Sequence, residues 1–176
     1  YVLKKTDKKN QDQYRYFSPL FRLIPINLKN WKNMANTYTQ LTIHAVFAVK
    51  GRQSFISDDF KESLFHYMGG TLKGLNQYPL LINGHKDHVH ILFELNPKNS
   101  ISEIIQKVKA NSSRWINEQG FIHGRFSWQS GYGAFSNSRS HRARLIKYIE
   151  NQENHHAMKT FEEEYIELLK YYEVDF

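Results

Sequence analysis

The sequence predicts an α+β fold, a two-layer sandwich in which helices pack on an antiparallel sheet of ferredoxin-like (split βαβ) topology. Three observations predict it. Short runs rich in β-branched and aromatic residues read as strands, and longer stretches with apolar residues at helical spacing read as helices. The two kinds follow one another in the order β-α-β-β-α-β-α-α. The length of 176 residues suits a single core.

Each element has its own signal. Tyr38 to Val49 is β-rich and closed by Lys50-Gly51, the mark of a strand. Asp58 or Asp59 caps a helix to about Gln77, with Phe60, Leu64, Met68, Leu72 and Leu75 along one side. Tyr78 to Asn83 and His88 to Leu95 form a hairpin around Gly84-His-Lys-Asp87. Ser100 or Ser102 opens a second helix, striped by Ile101, Ile104, Ile105, Val108, Trp115 and Ile116. Phe126 to Phe135 reads as a strand interrupted by Gly131 and Gly133, where a bulge or a close backbone approach is expected. A third helix begins at Ser138 or Ser140, and a last, acidic one spans Phe161 to Tyr172.

Composition narrows the chemistry. With no cysteine, disulfides and thiolate metal sites are excluded, and a metal must be held by imidazole, carboxylate, amide or water. No apolar run reaches the length of a membrane span and no signal-peptide core is present, so a cytoplasmic protein is expected. The net charge of +7 is unevenly placed. Residues 1–33 carry eight basic and two acidic side chains, and most of the excess lies there. That stretch starts with Tyr, lacks periodicity and precedes Met34, so residues 1–33 are expected to be a leader or non-native extension and 34–176 a single domain. Within the domain, nine basic against two acidic residues at 98–147 lead into two against eight at 148–176. A phosphate-binding surface beside a solvated acidic helix would give this pattern, as would two ordinary solvated faces.

Two clusters carry chemistry. On the strand after Asp87, alternation puts His88, His90, Leu92 and Glu94 on one face and the apolar Val89, Ile91, Phe93 and Leu95 on the other. The apolar face packs on helices, and the two imidazoles stand where they can share one divalent cation; incidental histidines on an exposed strand would look the same. On the third helix Arg144, Tyr148 and Gln152 stack at i, i+4 and i+8. A tyrosine hydroxyl attacks phosphorus once its phenolate is stabilised, and an amide oxygen one turn away can serve a metal that does so. A ring packed on the core with a wet hydroxyl is the plainer alternative.

Taken together, His88-Val-His90, Trp128-Gln-Ser-Gly-Tyr-Gly-Ala-Phe-Ser136 and Tyr148-Ile-Glu-Asn-Gln152 followed by His155-His156 resemble the insertion-sequence-200-like transposases. These are single-tyrosine HUH transposases, which include the REP-associated tyrosine transposases. The likeness runs from about Tyr38 to at least Tyr165 and includes the opening strand Ile43 to Arg52. It implies an HUH-endonuclease fold, His88, His90 and Gln152 as ligands of Mg²⁺ or Mn²⁺, and Tyr148 as nucleophile. The implied reaction cuts and rejoins single-stranded DNA through a 5′-phosphotyrosine link. The implied ligand is a hairpin-forming element end or repeat. A homodimer is implied too, in which the tyrosine helix of one subunit can complete the metal site of the other. Family members commonly continue a little beyond the point where this chain stops.

For DNA, the basic stretch offers Lys107, Lys109, Arg114, Arg139, Arg142 and Arg144 as phosphate contacts and Trp128 and Tyr132 as stacking platforms, while Trp115 fits the core. His44, His141, His155 and His156 receive no role. Two rivals share the features: a metal-dependent nuclease using activated water, and a nucleic-acid-binding module without catalysis.

Overall fold

The structure, a computed structural model, describes residues 38–156 and 159–176, and of His155 the backbone alone. The expectation for residues 1–33 lies outside the described residues. Four strands, β1 (Thr42–Ala48), β2 (Tyr78–Gly84), β3 (His88–Glu94) and β4 (Gly133–Asn137), form one sheet in the order β2-β3-β1-β4. Every neighbouring pair is antiparallel. With α1 (Asp58–Gly74) between β1 and β2, and α2 (Ile101–Gln119) between β3 and β4, this is the split βαβ arrangement. Three further helices follow: α3 (Arg142–Glu150), α4 (Gln152–His156) and α5 (Phe161–Tyr171). Among the described residues no helix is long and apolar enough to cross a membrane.

The first face of the sheet is apolar. Ile43, Ala45 and Phe47 of β1 and Val89, Ile91 and Phe93 of β3 are buried against Phe60, Leu64, Met68 and Leu72 of α1 and Ile104, Ile105 and Val108 of α2. The Ser100 side chain caps α2 by accepting from the Glu103 amide, and Gly120 ends it in the left-handed conformation that glycine adopts without strain.

The second face is half polar along β3, and α3 and α5 cover it. Leu145 and Ile149 of α3 pack on Leu80 and Leu92, while Phe161 and Leu168 of α5 pack on Val46, Ala48 and Phe135. The strand expected at Phe126 to Phe135 is only Gly133–Asn137; upstream, Trp128 makes a single bridge to Val49. Residues 129–132 instead form a loop held from α2, because Lys109 Nζ donates to the carbonyls of Gln129 (2.7 Å) and Gly131 (2.6 Å). The expected start of α3 at Ser138 or Ser140 moves to Arg142, after a turn in which the two serine hydroxyls hydrogen bond each other.

The hairpin carrying His88 is tightly fixed. A Cβ on Gly84 would lie 2.3 Å from the His88 carbonyl oxygen, so only glycine lets β2 approach β3 there. The turn is also pinned to its surroundings, since Val49 N donates to Asp87 O at 2.7 Å and Ile56 N to Lys86 O at 2.9 Å.

Candidate active site

His88 and His90 lie on the second face of β3, both fully buried beneath the C-terminal helices. Each has one ring nitrogen held. His88 Nδ1 is 2.7 Å from Asp87 Oδ1, and a carboxylate only accepts, so this nitrogen carries the proton. His90 Nδ1 is 3.0 Å from Nε2 of His44, which reaches it diagonally from β1. Burial, with His90 beside it, pushes His44 well below the usual imidazole range, and burial takes His90 down to about 4. His90 is therefore neutral near pH 7 and has a lone pair to give.

Tyr148 reaches this pair from α3, its ring 6.0 Å from His90 and 6.5 Å from His44, edge-on to both. Two things place it. Leu145 and Ile149 anchor the helix through Leu80 and Leu92. Asn83, paired with His90 in the β2–β3 register, donates from Nδ2 to the Ile149 carbonyl at 2.7 Å and holds the end of the helix. Gln152 does not continue that helix. The chain breaks at Asn151 and Gln152 opens α4, which buries its amide with Oε1 3.3 Å from His88 Nε2.

Sequence reasoning missed two members of the cluster. Glu164, on the acidic last helix, is 1% exposed and sits at the centre. Its Oε1 accepts from the Tyr148 hydroxyl and from Gln152 Nε2, while its Oε2 faces His88, His90 and His156. Burial alone would raise its carboxyl; contact with His90 and the donors Tyr148 and Gln152 outweigh that and hold it well below the carboxylate range. The effect on Tyr148 is opposite, because burial and then the Glu164 charge push its hydroxyl far above the usual tyrosine value. His156, one turn after Gln152, places Nε2 3.0 Å from Gln152 Oε1. The available signals were His156 four residues after Gln152 and the apolar spacing of Phe161, Leu168 and Glu164, which marks one buried helix face.

The donors fit a divalent cation. His90 Nε2 is buried with no hydrogen-bond partner among the described residues, and Glu164 Oε2 stands 3.5 Å from it. The ligand atoms of His88, His156 and Glu164 all lie within 4.8 Å of one another. Nitrogen and oxygen donors with a single carboxylate suit Mn²⁺ or Mg²⁺.

The expected DNA contacts divide sharply. Arg142 is committed to Glu94, with Thr42 Oγ1 at 3.1 Å, and ties α3 to the sheet. Lys109 is spent on the loop carbonyls. Trp128 is core, its Nε1 donating to Ser112 Oγ at 3.0 Å and its ring edge-on to Phe47 and Phe126, so it offers no stacking surface. Lys107 and Arg114 are exposed, but on α2, which packs on the other face of the sheet from the imidazoles. Trp115 stacks on Tyr67 at the core edge, as its spacing implied. Arg139 is exposed in the turn before α3, and the exposed Arg144 lines a cavity of about 340 Å³ with Tyr148, Glu164 and His141. The exposed Tyr132 lines a second cavity of about 320 Å³ with Arg52, Phe161 and Tyr165.

A split-βαβ domain with paired imidazoles on a central strand and a tyrosine helix across them defines the class of α+β protein to which the chain is to be compared. Comparison with known proteins narrows it: the family described as "Transposase IS200 like" matches residues 37–152, and the chain belongs to that family. It is 24% identical over 135 residues to the ISDra2 transposase TnpA of Deinococcus radiodurans, covering 74% of this chain and 94% of that one. A crystal structure of a transposase from D. radiodurans R1 superposes with a TM-score of 0.54 at 21% identity, over 68% of this chain and 95% of the other. A REP-associated tyrosine transposase bound to a REP hairpin gives 0.52 at 14% identity, over 70% and 73%. The fold is that of these single-tyrosine (HUH) transposases.

Proposed function

We propose that this transposase cuts and rejoins single-stranded DNA with Tyr148 as nucleophile, in a site where His88, His90 and Gln152 hold Mg²⁺ or Mn²⁺. The observation that carries the reading is the Tyr148 hydroxyl, held beside His90 in the same network as Gln152 and His88. When bound, the cation supplies Lewis-acid polarisation of the scissile phosphate and neutralises its charge.

The residues do the rest. As the Tyr148 oxygen attacks phosphorus its proton passes to Glu164 Oε1, to which it is already hydrogen bonded; a bond forms to the 5′ phosphate, and the 3′ oxygen of the other fragment leaves and takes up a proton as a hydroxyl. Because the phosphodiester energy is kept in the phosphotyrosine, a returning 3′-hydroxyl can reverse the step and reseal the strand. Glu164 orients the phenol through its hydrogen bond, and α3 keeps it over the imidazoles. Arg139, Arg144 and Tyr132 are the remaining candidates for the strand itself: two cations for phosphates and one exposed ring for a base. The likeness to a transposase bound to a REP hairpin supports hairpin-forming single strands as substrate, and the resemblance to the family implies a homodimer as the working form.

With hairpin-bearing single strands and Mn²⁺, the wild type is expected to give a protein–DNA adduct that survives denaturation, and Tyr148→Phe none. Cleavage without an adduct in the wild type would favour a nuclease using water instead.

A further inference from the structure

We infer that Glu164 and His156, both from the C-terminal helical segment, are ligands of the same cation, making the centre a three-imidazole, one-carboxylate, one-amide site. The inference rests on the proposed metal-dependent function and deepens it.

The argument is one of proton placement. His88 Nδ1 donates its N–H to Asp87 Oδ1, and His156 Nδ1, 2.9 Å from the Lys159 carbonyl, donates its own to that oxygen. In the neutral ring, Nε2 of each then carries a lone pair. Both nitrogens nevertheless face acceptors. His156 Nε2 stands 2.9 Å from Glu164 Oε2 and 3.0 Å from Gln152 Oε1; His88 Nε2 stands 3.6 Å and 3.3 Å from the same two atoms. The Gln152 amide cannot turn to relieve this without cost, because its NH₂ donates to Glu164 Oε1 at 2.9 Å. With the rings neutral, these lone pairs converge on those of the two oxygens in a buried space, and His90 Nε2, which has no hydrogen-bond partner among the described residues, points into it as well.

One cation among the five atoms removes every conflict together. The spacing suits it: neighbouring donors on an octahedron with bonds of about 2.1 Å stand about 3.0 Å apart, close to the 2.9 to 3.6 Å found here. Glu164 also couples the metal to the nucleophile, since Oε2 faces the imidazoles while Oε1 holds the Tyr148 hydroxyl.

The test is metal binding by the full chain, without DNA. Calorimetric titration of the metal-free protein with Mn²⁺ alone is expected to show one site, weakened about tenfold or more by Glu164→Gln and by His156→Ala, as by His88→Ala. If His88→Ala weakens binding while Glu164→Gln and His156→Ala retain wild-type affinity, the inference is overturned and the proposed function stands. Should His88→Ala also bind as the wild type does, the metal half of that function fails with it. Spin-echo spectroscopy of Mn²⁺ in the wild-type protein avoids any folding defect of a variant: nitrogen couplings from three imidazoles support the assignment, and couplings from only two remove His156.

Discussion

The two faces of one sheet are built on opposite principles. On the first, Val89, Ile91 and Phe93 alternate into an apolar layer against α1 and α2, with nothing but side-chain volume to satisfy. On the second, the intervening His88 and His90 are just as deeply buried, yet among polar partners drawn from β1, α3, α4 and α5. Burial is therefore the same on both faces and its energetic meaning is not. Apolar burial stabilises in proportion to area, whereas a buried polar group stabilises only when its partners are present. The first face holds the fold together; the second spends part of that stability on keeping donors in place.

The largest expected effect breaks the first face alone. Phe93→Ala should lower the free energy of unfolding by about 3–5 kcal/mol in urea titrations, through lost transfer energy and the cavity left behind. The folded fraction should still bind Mn²⁺ as the wild type does, because β3 keeps its imidazoles on the other side. A matching loss of metal affinity would show that the two faces are not separable.

The same contrast explains what the sequence could disclose. Period-two alternation along His88 to Leu95 and helical spacing in α1 and α2 are local signals, and they placed the first face correctly. The imidazole pair and Tyr148 were visible for the same reason. Glu164 was harder to read, because an acidic helix with Glu162, Glu163, Glu164 and Glu167 reads as solvated and only its spacing from Phe161 and Leu168 sets that one carboxylate apart. The break at Asn151, which separates Gln152 from the tyrosine helix, has no glycine or proline to announce it. Arg142 and Arg144 are indistinguishable in sequence and opposite in structure: one faces Glu94, the other solvent.

A second prediction concerns the joint between the faces. Asn83 belongs to β2 but holds the last carbonyls of α3, so Asn83→Ala should cost only about 1 kcal/mol in stability, the worth of one partly buried hydrogen bond. Adduct formation should suffer more than that figure suggests, because the helix end that carries Tyr148 is then free to shift against His90. If cleavage falls only in step with stability, as read from thermal melts and single-turnover assays, Asn83 is a fold residue and nothing more.

The smallest effect separates the two arginines. Arg144→Ala should leave stability within about 0.5 kcal/mol, as exposed substitutions usually do, and should weaken binding of single-stranded DNA. The slope of log affinity against log salt should fall by about 0.7, the amount one lost phosphate contact releases on a single strand. Arg142→Ala should do the reverse. Its guanidinium is already neutralised by Glu94 and bonded to Thr42, so it has little charge left for a phosphate; removing it unties α3 from the sheet while the salt slope stays as it was. Equal slopes for both variants would mean that the strand passes over the Glu94 side of α3 as well as the Tyr148 side. That result would place the DNA path across the helix rather than along it.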